Sequence, residues 1–366
     1  MRTGKLILAV LLAAAAGVAG ACIAGDLGPW NPTESPRTGS PVTPISEKFE
    51  LGSIGGPTTW INSQPLTVSQ LRGKVVLVDF WTYTCINWRR TLPYLQAWHE
   101  KYRSQGLIVI GIHTPEFSFE RDLDNVRQAV KEMHIDYPVL TDNDEAVWRA
   151  FGNQLWPTLY LIDSEGRVKY RLAGERSYER AEPILRKMLS ENGGSNIDPE
   201  PAFVKARGFE AAADWTELNS PETYTGYEFT HSFASPQGMV RDRPTAYKVP
   251  SQLGLNEWAL DGRWTGRKEN VVLDEAGGSV TYRFHARDLH LVMGLPAKGT
   301  SVKFRILIDG KPPGAAHGLD VDENGDGTIS ELRLYQLVRQ PTPVVDRQFE
   351  IKFFGPGVEV YDFTFG

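Results

Sequence analysis

The chain has 366 residues, 41% of them hydrophobic and 23% charged, with a net charge of -6. That length favours two domains over one, and an acidic balance with no basic stripe excludes nucleic acid as the expected partner. Two cysteines, Cys22 and Cys85, are too few for a disulfide framework, so each domain must be held by its own core.

Residues 1–22, MRTGKLILAVLLAAAAGVAGAC, set Arg2 and Lys5 ahead of an apolar run and small residues before Cys22, the layout of a secretory signal. The final AGAC resembles the bacterial lipoprotein cleavage box, in which the cysteine is acylated, although Ala19 stands where that box prefers leucine. Three readings stand: lipidation at Cys22, simple cleavage after Ala21, and an uncleaved anchor. All imply export, to the periplasm or the cell surface, and the first and third attach the chain to the membrane through its N-terminus. Residues 23–46 are rich in Pro, Ser, Thr and Gly and read as a flexible tether.

From 47 to 192 short β-branched runs alternate with helical patterns. KVVLVDFW and LIVIGIHT suit buried strands, with a helix from Cys85 to Gln105 between them. FERDLDNVRQAVKEMHI places Leu123, Val126, Val130 and Met133 on one helical face. YPVLTD, TLYLID and RVKYRL read as strands, DEAVWRAF and SYERAEPILRKMLSE as helices, and the alternation predicts an α/β domain. Residues 193–219 read as a linker. From 220 to 366 come SVTYRFHA, DLHLVMGL, SVKFRILIDG, ELRLYQLVR, QFEIKFFG and VEVYDFTFG, with no long amphipathic helix between them, which predicts an all-β sandwich of jelly-roll type.

The stretch VVLVDFWTYTCINWRRTLP sets Asp79 six residues before Cys85, Trp81 four before it and Pro93 eight after it. Downstream, Trp156-Pro157 precedes a strand. These motifs resemble the thioredoxin superfamily, and the segment HTPEFSFERDLDNV together with the β domain resembles the extracytoplasmic members of the TlpA and DipZ type. The resemblance implies a thioredoxin-like fold and a cis Pro157 opposite the thiol, with the backbone of Trp156 holding an extended substrate. It also implies a carbohydrate-binding-module-like fold for the second half and a place for Glu116 near the thiol.

A cysteine at the first turn of a helix lies beside unpaired amides and the positive end of the dipole, which favours its thiolate. Where the family carries a second cysteine to resolve the mixed disulfide, however, this chain has Trp88. The carboxylate of Asp79 thereby loses the partner that the resemblance implies, and on an apolar strand its pKa is expected to rise. Trp81 and Trp88 are read as groove walls, and Arg89-Arg90 as a solvated helix face in preference to charges that further favour the thiolate. With Cys22 acylated, Cys85 is the sole free thiol. Three outcomes stay open: monothiol exchange with exported thiol or disulfide proteins, cycling through sulfenic acid, or an idle site kept as a binding surface.

GLDVDENGDGTISEL matches a calcium loop imperfectly, with Asp320, Asp322, Asn324, Asp326 and Glu331 as ligands, and reads more simply as a polar hairpin, since turn chemistry alone explains Asn-Gly and Asp-Gly. Calcium is the one cofactor suggested; thiol exchange requires none. His113 lies near the end of a strand of the thiol domain and reads as a packed or hydrogen-bonded residue, and no histidines cluster at zinc spacing. Trp215, Trp258, Trp264, Tyr224, Tyr227 and Tyr247 are either core or a stacking surface for a glycan. The reading is thus an exported thioredoxin-like protein acting through Cys85, against a redox-inactive binding protein with a glycan- or protein-binding sandwich.

Overall fold

A computed structural model describes residues 42–44, 59–194, 197–297 and 299–366. The signal segment with Cys22 and most of the tether lie outside the described residues.

The run Val75–Trp81 carries no alternation because both its faces are covered, and every one of its residues is buried. It forms β3 of a seven-stranded sheet. The others are β1 (Val42–Pro44), β2 (Thr59–Ile61), β4 (Leu107–His113), β5 (Val139–Thr141), β6 (Thr158–Ile162) and β7 (Val168–Ala173), in the order β1-β7-β6-β3-β4-β5-β2. β3 pairs parallel with β4 and antiparallel with β6. The helices are α1 (Val68–Leu71), α2 (Ile86–Tyr102), α3 (Leu123–Glu132), α4 (Ala146–Ala150) and α5 (Tyr178–Glu191). Leu92 and Trp98 of α2, Val126 of α3 and Leu185 of α5 share one core with the strands.

Two boundaries differ from expectation. Val42–Pro44, expected in the tether, pairs antiparallel with β7 as an edge strand, where the missing N–H of Pro44 is tolerated. The helix expected from Phe119 starts later, because Ser118–Arg121 form a 3-10 turn and Asp122 caps α3 by accepting the Asp124 amide.

The second domain is all β, as expected. It comprises β8 (Thr223–Tyr224), β9 (Thr245–Tyr247), β10 (Trp258–Gly266), β11 (Val271–Leu273), β12 (Ser279–Phe284), β13 (Asp288–Gly294), β14 (Val302–Ile308), β15 (Asp326–Ile329), β16 (Arg333–Arg339), β17 (Arg347–Phe353) and β18 (Glu359–Phe365). The path β15-β14-β17-β12-β10-β11-β18-β13-β16 makes one curled antiparallel sheet. β10 belongs to both layers: Trp258–Asp261 pair with β12 and Trp264–Gly266 with β11. The change of partner falls at Gly262, whose φ of 96° suits glycine.

The segment read as linker is packed down. A 3-10 turn at Gly208–Glu210 lies against α2, with the Arg89 guanidinium 5.2 Å from the Phe209 ring centre.

Candidate active site

The chain leaves β3 at Trp81 and enters α2 at Ile86, so the four-residue loop Thr82–Cys85 is short and wholly buried. Cys85 is the N-cap. Its Sγ accepts the amide of Trp88 at 3.4 Å, satisfying one of the donors that a helix start leaves unpaired. Cys85 is 2% exposed and is the one cysteine among the described residues. It is disulfide-bonded, so thiolate chemistry at this position begins with reduction.

Asp79 sits on β3 with 0% exposure. Trp88 Nε1 donates to its Oδ2 at 2.8 Å, so the carboxyl that was expected to lack a partner has an indole where the second thiol would stand. Burial pushes the Asp79 pKa up to about 8, with the Trp88 hydrogen bond pulling the other way. Reaching Asp79 turns the Trp88 ring inward, where it stacks on Trp81 at 4.3 Å and 26°. Both rings are fully buried, so neither is the groove wall expected of it.

The Trp156-Pro157 bond is cis, as the resemblance implies. Thr158 pairs with Phe80, which sets Pro157 beside the end of β3 where the cysteine loop begins. Trp156 itself is buried against Trp148 at 4.4 Å. His113, opposite Trp81 in register, is buried between the rings of Trp81 and Tyr83. Desolvation lowers its pKa to about 3 and keeps it neutral.

The acidic residue that reaches the cysteine loop is Glu120. It is fully buried, accepts the Thr84 hydroxyl at 2.6 Å and the amides of Glu116 and Phe117 at 2.7 and 3.0 Å, and burial raises its pKa. Glu116, chosen from sequence, turns to the second domain and accepts the Tyr224 hydroxyl. The spacing Phe117-x-x-Glu120 is that of a capping box, but Phe117 in place of Ser or Thr hid it.

Arg90, expected on a solvated face, is 3% exposed and pairs with Glu175, also 3% exposed, through Nε and Nη2, while Nη2 donates to Asn87 at 2.6 Å. Trp215 of the linker lies over it, 5.6 Å from the guanidinium. Ile86, the residue after Cys85, packs in a cluster with Phe117, Val292, Leu334 and Tyr361, so the second domain covers the start of α2.

The other sequence candidates fall elsewhere. Asp320 pairs with Arg333 at 2.7 Å, Asp326 with Arg305 at 2.7 Å, Asp322 caps its own turn through the amides of Asn324 and Asp326, and Glu331 accepts from Gln128 at 3.3 Å. Among the described residues no group of three or more His, Cys, Asp or Glu side chains converges to hold a metal, and these carboxylates do not fit a calcium cage. Trp258, Trp264 and Tyr247 are core, Tyr224 lies against Phe117, and Trp215 stacks under Arg176 at 4.2 Å, so these five form no open platform. Tyr227 meets Arg241.

Residues 55–189 match the redoxin family model, and residues 220–366 match the family described as thioredoxin like C-terminal domain. The chain belongs to the thioredoxin superfamily. Within the superfamily it is of the DipZ and TlpA type, being 34% identical over 262 residues to protein DipZ of Mycobacterium tuberculosis, an alignment covering 71% of this chain and 36% of that one. It is 28% identical over 142 residues to the thiol-disulfide oxidoreductase YkuV of Bacillus subtilis, covering 38% of this chain and 95% of YkuV. The chain thus spans little more than a third of the length of DipZ. The superfamily scaffold here is that of a thiol-disulfide oxidoreductase.

Proposed function

We propose that this chain is an exported thioredoxin-like protein that exchanges disulfides through Cys85 alone. Once reduced, the Cys85 thiolate attacks a client disulfide. A bond forms from Sγ to one client sulfur, the client S–S bond breaks, and the other client sulfur leaves with the electron pair and takes a proton from solvent. An external thiolate then attacks the mixed disulfide and releases Cys85. The observation that carries this reading is the seat of Cys85 at the N-cap of α2, its sulfur accepting the Trp88 amide. Export rests on the signal-like residues 1–22, and membrane attachment on acylation of Cys22 or on an uncleaved anchor. Acylation consumes the Cys22 sulfur, so in a lipidated chain the disulfide partner of Cys85 comes from a client. Among the described residues no helix is long and apolar enough to cross a membrane.

A second reading, a redox-idle binding protein, is favoured by the burial of Cys85 and the cover over Ile86. Reduction followed by a small aromatic disulfide separates the two: exchange predicts a stoichiometric mixed disulfide on Cys85, released by added glutathione, whereas no adduct favours binding. Trp88→Cys is the sharper arm. Insulin reduction by the variant, absent in the parent, is expected if the resolving sulfur is all that is missing.

A further inference from the structure

Trp88 touches both ends of the site. Its amide donates to Cys85 Sγ at 3.4 Å, and its indole donates to Asp79 Oδ2 at 2.8 Å. Between these bonds the ring is fixed by its stack on Trp81 and by complete burial. Asp79 Oδ1 is buried with no hydrogen-bond partner among the described residues, so the Trp88 N–H is the donor that favours the ionised carboxylate. The groups around it do not compete. His113 on β4 is held neutral, Tyr137 before β5 is held protonated by burial, and Glu120, in the loop after β4, faces Thr84.

We propose that Trp88 is a positioning residue that sets the ionisation of Asp79 and, through the charge on that carboxyl, the reactivity of Cys85. This rests on the exchange reading above. A charged Asp79 behind the first turn of α2 opposes a thiolate at its tip, so the two titrations are linked, each raising the midpoint of the other. The indole N–H draws the Asp79 titration down from where burial alone would hold it. Without that donor the carboxyl stays neutral further into the alkaline range and ceases to oppose the thiolate there.

The test is an infrared difference titration of the Asp79 carboxyl band, assigned by its loss in Asp79→Asn, with Cys85 disulfide-bonded and again with Cys85 reduced. The pH profile of iodoacetamide reaction is run alongside. Trp88→Phe keeps the ring and the amide but removes the donor. It should raise the Asp79 midpoint by roughly one to two pH units, the worth of one hydrogen bond to a charged group. The upper step of the alkylation profile should move with it. Trp81→Phe removes an indole N–H that has no partner among the described residues, and Glu120→Gln removes the buried carboxyl that reaches the cysteine loop; both should leave the Asp79 midpoint in place. An unchanged midpoint in Trp88→Phe, or an equal shift in Trp81→Phe, overturns the proposal. Failure of Cys85 to alkylate at any pH would sink the exchange reading instead. The proposal would then be decided by the infrared arm alone, where the wild-type midpoint must differ between disulfide-bonded and reduced Cys85. That last comparison also decides the matter should Trp88→Phe fail to fold.

Discussion

A carboxyl group with no solvent exposure on an apolar strand costs the fold stability whenever it is charged. Asp79 rises from 3.8 to about 8 on folding. The folded chain therefore holds a proton that the unfolded chain has released, and the stability tied to that proton is full below pH 3.8 and lost as pH rises through 8. Asp79→Asn, whose amide oxygen still accepts from Trp88, should remove this slope. By pH 7 the linkage has a ceiling of about 4 kcal/mol, so a gain of about 2–4 kcal/mol is expected in urea denaturation at pH 7 and none at pH 3.5. Equal gains at both values would assign the effect to packing. At this scale Cys85, Asp79 and Pro157 were legible because each sits at a fixed offset from a recognisable motif. Trp88 was legible as a substitution but not as a donor. Whether an indole on the first turn of a helix faces a groove or turns to a carboxyl nine residues back depends on the fold, and spacing along the chain does not encode it.

The elements were read with few losses, and the losses have causes. β10 was missed because Asp261-Gly262-Arg263 interrupts its alternation where the strand changes layers. Arg89-Arg90 was read as solvated because nothing in the helix says that a segment some 120 residues later will lie on it. That covering makes the Arg90–Glu175 pair a tie between α2 and the turn after β7, with both partners nearly out of water. Either partner left alone is an uncompensated buried charge. Arg90→Met and Glu175→Gln should each cost about 3–5 kcal/mol, while the double variant should cost clearly less than their sum. Thermal and denaturant unfolding of the three variants at neutral pH checks this. Additive losses would mean that the two side chains act independently.

At the scale of the whole molecule, two cores are joined by a third cluster. Ile86 and Phe117 come from the first domain and Val292, Leu334 and Tyr361 from the second, with the Tyr361 ring 5.1 Å from Phe117 and 4.9 Å from Phe119. Residues 193–219 read as a linker, and a linker by itself leaves two domains free to move. The seam predicts the opposite, since an apolar contact against the residue after Cys85 gives opening a cost. Leu334 is buried on β16, and Leu334→Asp would place a carboxylate in that contact, which the molecule relieves more cheaply by parting the domains than by unfolding either core. Calorimetry should then resolve two transitions where the parent has one. Reduced Cys85 should alkylate at least tenfold faster at fixed pH, which a loss of about 1.4 kcal/mol from the seam is enough to produce. Two transitions with no change in the alkylation rate would mean that the second domain docks firmly but does not guard the sulfur. The burial of Cys85 would then have to be lifted from within the first domain for any client to reach it.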